Sequence, residues 1–167
     1  MPEEIVNRIA QSKLKTVDPG DYYLPGQRIH LDISQWLYEG IILREKEFRT
    51  ALREHDWNSY EGAYVALSCT TDAIIPGWAF MLVAAYLGPV CRKVVVGDME
   101  LLETEIYRDA LQQVNFEDYR DLPVIVKGCA DKPVPRNAYI MLVSALQKVA
   151  KSVMYGEACS SVPLFKR

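Results

Sequence analysis

One pattern written twice constrains this chain more than any other feature. YEGAYVALSC at 60–69 lines up with YRDLPVIVKGC at 119–129, and Met81-Leu82-Val83 recurs as Met141-Leu142-Val143. Upstream, EKEFRTALREHDWNSY (45–60) lines up with ETEIYRDALQQVNFEDY (103–119); downstream, KVVVGD (93–98) lines up with SVMYGE (152–157). The offset is 60 from 69 to 129 and from 81 to 141, and 59 from 60 to 119 and from 97 to 156. Slips of one residue are what loops between matched elements accumulate. A fixed period of this length makes each half one supersecondary unit. The repeat is expected to run over about 45–98 and 103–157, inside a single domain spanning 1–167.

Each half carries the same succession. LREKEFRTALREH and ELLETEIYRDALQQV place apolar residues three and four apart with charges between, the mark of an amphipathic helix. The short β-rich runs YVALS and VIVK follow, bounded by turn residues. A loop holding cysteine, aspartate and proline comes next, then a strongly apolar helix, with Pro76 near the first turn where its missing N–H costs nothing. KVVVG and SVMYG close the halves at Asp98 and Glu157, and the alternating RIHLDI (28–33) leads in. A further helix is expected over about 2–12. Strands alternating with helices predict βαβ units, and continuously apolar strands predict cover on both faces. The expected fold is therefore α/β: a mainly parallel sheet with helices on both faces, built from an internal duplication of a βαβ-type half.

Composition narrows the function classes. A chain of 167 residues, half hydrophobic and a quarter charged, supports one well-cored domain. A net charge of −3 offers no electrostatic footprint for nucleic acid. The opening MPEEIVNRIAQ is acidic and amphipathic, unlike a secretory signal. Four cysteines at irregular separations do not read as a disulfide framework, which points to a cytoplasmic protein with reduced thiols. Residues 73–91 hold no charge, close to the ~20 apolar residues of a membrane span. Pro76-Gly77 and Gly88-Pro89 bracket them, so a buried helix is expected rather than a membrane segment.

A parallel sheet gathers its strand carboxyl ends on one rim, where ligand sites of open α/β folds form. Cys69 and Cys129 each follow a strand, Asp98 and Glu157 end strands, and Cys159 lies two residues beyond Glu157. Cys69 and Cys129 are expected at equivalent positions about the middle of the sheet, and Cys91 is expected in the core. Simpler roles compete. Asp72 and Asp131 are expected to cap the helices that follow them, His55 to sit at a helix C-terminus, and His30 to be an ordinary strand residue. There is no C-x-x-C pair, no G-x-G-x-x-G, no P-loop and no G-x-S-x-G elbow.

SCTTDAIIPGWAFM, KGCADKPVP with NAY, GEACSSVPLFKR, IVNRIAQSKL and LREKEFR with HDW together resemble the bacterial domain-of-unknown-function family 2480 across essentially the whole chain. That family has no established activity. Its members are often encoded near iron–sulfur cluster assembly genes, so the resemblance implies assembly proteins as partners. It also implies that thiols matching Cys69, Cys129 and Cys159 belong to the family pattern and Cys91 does not.

Three functions stand open. The first is a metal or iron–sulfur site held by Cys69, Cys129 and Cys159, with zinc or a cluster as cofactor and Asp98, Asp131, His55 or a partner completing the ligands. The second is a thiol enzyme with Cys69 or Cys129 as nucleophile beside a charge such as Lys132. The third is an interaction protein, such as a homodimer, docking through the apolar helix 78–87 and the tail PLF.

Overall fold

A computed structural model describes residues 13–167, so the helix expected over 2–12 lies outside the described residues. Strands β1 (Lys15–Val17), β2 (Arg28–Asp32), β3 (Tyr64–Ser68), β4 (Lys93–Val96), β5 (Pro123–Val126), β6 (Ser152–Glu157) and β7 (Ser160–Lys166) alternate with helices α1 (Glu45–Glu54), α2 (Gly77–Leu87), α3 (Met99–Gln112) and α4 (Arg136–Leu146). The architecture is α/β, and every strand pair is parallel except β6 with β7. The strands do not form one sheet as expected. They form two, β2-β3-β4 and β1-β5-β6-β7. Each sheet has its own leading strand, and β1 is three residues, KTV, too short to show a period in the sequence.

The chain divides into two compact units, Pro25–Ile106 and a second made of the stretch up to Leu24 with Tyr107–Arg167. In the first, β3 is buried on both faces. Val65 and Leu67 pack with Phe48 and Leu52 of α1 and Ala79, Val83 and Leu87 of α2. Tyr64 and Ala66 point the other way, onto Leu102 and Ile106 of α3. Alternation along the strand therefore feeds two helical layers, which explains why YVALS reads as one continuous apolar run. Over the α1 end, Trp57 Nε1 donates to the Leu52 carbonyl at 2.7 Å and its ring stacks on Tyr86 at 5.1 Å between centroids.

In the second unit, Val17, Val124, Val126 and Val153 meet Leu111 of α3 and Leu142 and Leu146 of α4. Strand β7 folds back on β6 through a two-residue turn at Ala158 and Cys159. Phe165 packs against this core, so the tail expected to dock a partner is a strand of the sheet. Pro163 cannot donate outward, and the register of β6 and β7 slips between Val153 and Met154. Both features discourage a further strand from adding at this edge.

Four element boundaries lie at one offset: 123 − 64, 136 − 77, 146 − 87 and 152 − 93 all equal 59, whereas α1 and α3 start 54 residues apart. At the offset of 59 the buried positions of α2, Ala79, Val83 and Leu87, fall on those of α4, Ala138, Leu142 and Leu146. The exposed Met81 and Ile140 correspond in the same way, at 73% and 65% exposure. The identical Met-Leu-Val tripeptides are thus one residue out of structural step. Cys69 matches Gly128 and Thr70 matches Cys129, so the two cysteines are not equivalent as expected. Leu87→Ala and Leu146→Ala should each cost about 2–5 kcal/mol through the cavities they leave. Met81→Ala and Ile140→Ala should stay within about 0.5 kcal/mol. Urea denaturation followed by circular dichroism measures all four.

Candidate functional site

Each unit presents a rim of loops at its strand carboxyl ends, and in each an aspartate organises it. In the unit 25–106, Asp32 ends β2. It accepts from the Ser34 N–H at 2.9 Å, from the Thr70 N–H at 3.1 Å and from the Thr70 hydroxyl. Burial pushes its carboxyl up, but the Thr70 and Ser34 hydrogen bonds outweigh this and hold it at about 2. The Thr71 hydroxyl donates to the Gly40 carbonyl at 2.5 Å and closes the loop against the turn at Tyr38 and Ile42. Cys69 is half-buried, its sulfur 3.4 Å from the Thr71 hydroxyl and 3.6 Å from the Thr71 carbonyl. Beside it, His30 Nε2 lies 2.5 Å from Ser68 Oγ.

In the other unit, Asp18 follows β1. It accepts from the Gly20 N–H at 2.8 Å and from Lys127 Nζ at 3.2 Å. The Gly20 N–H, with help from Lys127, draws the Asp18 carboxyl below its usual range. Asp18 in turn raises Lys127, with smaller contributions from Glu157 and Asp131. Asp18 is the carboxylate in contact with this ammonium. Tyr139 of α4 stands edge-on to Tyr155, ring centroids 6.0 Å apart. Burial first, then Tyr155, Asp18 and Cys129, raise the Tyr139 hydroxyl.

Two glycines keep this rim open. A Cβ at Gly128 would stand 3.1 Å from the Tyr155 hydroxyl, and one at Gly20 would stand 3.3 Å from the Ala130 side chain. A cavity of about 140 Å³ is lined by Asp18, Gly20, Asp21, Asp131 and Lys132. Cys129 is exposed two residues before Asp131, and Cys159 is exposed at the β6–β7 turn.

The family model described as protein of unknown function, DUF2480, matches residues 3–167. The chain belongs to this family. No curated protein and no solved structure matches it at a significant level.

The thiols and carboxylates expected to meet at one rim are divided between the units. Cys69 and Asp98 lie in one; Cys129, Asp131, Glu157 and Cys159 lie in the other. Asp98 caps α3, its carboxylate accepting from the Leu101 N–H at 2.8 Å. Among the described residues, no three of His, Cys, Asp or Glu are grouped so as to hold a metal ion. Cys91 is half-buried against the core, and burial pushes its thiol up, as expected of a packing residue.

Asp72 and Asp131 do not cap α2 and α4 as expected. Those helices start from Pro76 and Pro135, whose extended backbone is preset, with no side-chain cap. His55 does end α1, its Nε2 3.0 Å from the Tyr60 hydroxyl and its ring against Trp36 and Trp57. Lys132 lies 5.5 Å from the Tyr23 ring centroid, so the cation paired within the rim is Lys127. Asp18, Lys127, Tyr139 and the His30–Ser68 pair escape a sequence reading, because only strand register brings them together. No helix among the described residues is long and apolar enough to cross a membrane.

Asp32 yields an acid prediction. Its folded-state carboxyl is depressed, so its contribution is present above about pH 4 and is lost as pH falls toward 2. Allowing for solvent screening, the contribution is on the order of 1 kcal/mol. Asp32→Asn should therefore lower stability by about that much at neutral pH. The gap from wild type should narrow as pH drops through this window in urea melts. A gap that stays constant with pH would place the loss outside the carboxylate's charge.

Proposed function

We propose that the chain is a thiol-based binding protein for a soft metal ion or an iron–sulfur cluster. It works at the rim of the unit formed by 13–24 and 107–167, through Cys129 and Cys159. The observation that carries this reading is the register of two neighbouring parallel strands. Val126 of β5 stands beside Tyr155 of β6, so Cys129, three residues on, and Cys159, four residues on, leave the same end of the sheet. Such strands lie about 4.8 Å apart. Both thiols are exposed.

Thiolates are the ligands of choice for zinc and for cluster iron. Two fall short of a four-coordinate set, and Asp131 and Glu157 are oxygen donors in the same unit. The donor chemistry fits, but these donors are not already grouped as a metal site. Binding would order the loop 127–135 and the hairpin turn together. Two thiolates with open positions suit passing a cluster on rather than keeping it, which agrees with an accessory role in cluster assembly.

Anaerobic purification, elemental analysis and absorption spectra test the reading, before and after addition of zinc or of ferrous iron with sulfide. Cys129→Ala and Cys159→Ala should each lose the bound metal, and Cys91→Ala should keep it. Cys69→Ala separates a two-thiol set from the three-thiol set of the family pattern. A wild-type chain that takes up neither zinc nor iron would end the metal reading.

A second reading, an interaction protein that pairs with another copy, is favoured by Ile74 and Met81, which are 95% and 73% exposed. Light scattering of Met81→Glu against wild type separates it from the first, because a dimer held there would dissociate while metal content stayed unchanged.

A further inference from the structure

The unit 25–106 holds a hydroxyl and an imidazole in the arrangement of a nucleophile and its base. In the β2–β3 register His30 stands beside Ala66, and Asp32 beside Ser68. His30 and Ser68 are therefore diagonal neighbours on one face of the sheet, with Nε2 2.5 Å from Oγ. A pair of this kind can be a plain cross-strand hydrogen bond. Two features of its surroundings go further. Ser68 is the last residue of β3, so its hydroxyl stands at the carboxyl rim rather than in mid-sheet. His30 is exposed, and a substrate has access to it.

We propose that Ser68 and His30 form a nucleophile–base pair for acyl transfer from small, neutral esters or thioesters. The neutral tautomer with its proton on Nδ1 presents Nε2 as an acceptor for the Ser68 proton. Oγ attacks the carbonyl carbon, and the proton passes to Nε2. The carbon–oxygen or carbon–sulfur bond to the leaving group then breaks, and His30 returns the proton to the departing alcohol or thiol. Water, activated by the same imidazole, releases the acyl group as a carboxylic acid and restores Ser68. Neutral substrates are specified because Asp32, beside Ser68 in register, is held ionised and repels an anionic acyl chain. This proposal draws on none of the thiols of the other unit and stands or falls apart from metal binding.

The test uses the full chain with a fluorophosphonate probe, which bonds phosphorus to an activated serine oxygen with loss of fluoride. p-Nitrophenyl acetate serves as the ester. Intact mass and peptide mapping should place a single adduct on Ser68. Ser68→Ala and His30→Ala should each slow adduct formation and ester cleavage by about a hundredfold or more, the range of general-base assistance. Heat-unfolded protein should show no fluorophosphonate adduct. Circular dichroism checks that the variants fold. Should Ser68→Ala fail to fold, the mapped position on the wild-type chain decides. Adducts spread over several residues, an adduct elsewhere, equal rates in His30→Ala, or no reaction with either probe would each overturn the proposal.

Discussion

Everything at the two rims depends on one aspartate at the end of each leading strand. Asp18 follows β1 and Asp32 ends β2. Each turns its carboxylate back on the N–H two residues along to start a short 3₁₀ turn. Each then uses its remaining acceptor capacity on the end of the neighbouring strand, Asp18 on Lys127 and Asp32 on Thr70. A carboxylate has about four lone-pair sites, and here they fix a turn and a strand end at once. The leading strand's exit is thereby tied to the loop after the middle strand. That tie places β3 and β5 with their carboxyl ends beside a polar cluster rather than in open solvent.

The same device gives two different rims because the partners differ. Thr70 supplies a hydroxyl and an N–H, and Thr71 reaches the Gly40 carbonyl, so the loop after β3 is sewn down and Cys69 is enclosed. Lys127 supplies a single long cation. The loop after β5 starts from the Lys127 N–H donating to the Val17 carbonyl at 2.9 Å, and Cys129 stays exposed. At the offset of 59 residues, Thr70 corresponds to Cys129. Where one unit puts a hydroxyl that grips its aspartate, the other puts a free thiol. An open thiol and a closed hydroxyl at matched positions give the two rims different side-chain chemistry.

Much of the fold was legible because it rests on local pattern. The strands YVALS, KVVV, PVIV and SVMYGE, and the helices between them, follow from runs of apolar residues and from proline and glycine punctuation. The division into two sheets was not legible. It turns on β1, whose three residues carry no period, and on the pairing of β1 with β5 across more than a hundred residues. The cysteines were legible as loop residues but not as neighbours. Matching Cys69 to Cys129 followed identical letters, and the helices show that the structural step differs by one. His30 and Ser68 were invisible for the same reason, since thirty-eight residues separate them in sequence and only register joins them.

The loops that carry the thiols also show why they hold both prolines and aspartates. An aspartate before a helix usually spends its carboxylate on the helix's own N–H groups. Here Pro76 and Pro135 take the entry position and preset the extended backbone that leads into α2 and α4. Asp72 and Asp131, each four residues before its proline, are released from capping. Asp131 consequently faces the small cavity shared with Asp18, Asp21 and Lys132, and it acts on Lys127. A proline entry thus converts a capping residue into a rim residue without adding a side chain. Replacing Pro135 by serine would supply a capping hydroxyl while loosening the preset entry angle. The proline's contribution at this position is therefore geometric: it holds Asp131 and Cys129 on the same short, stiffened loop.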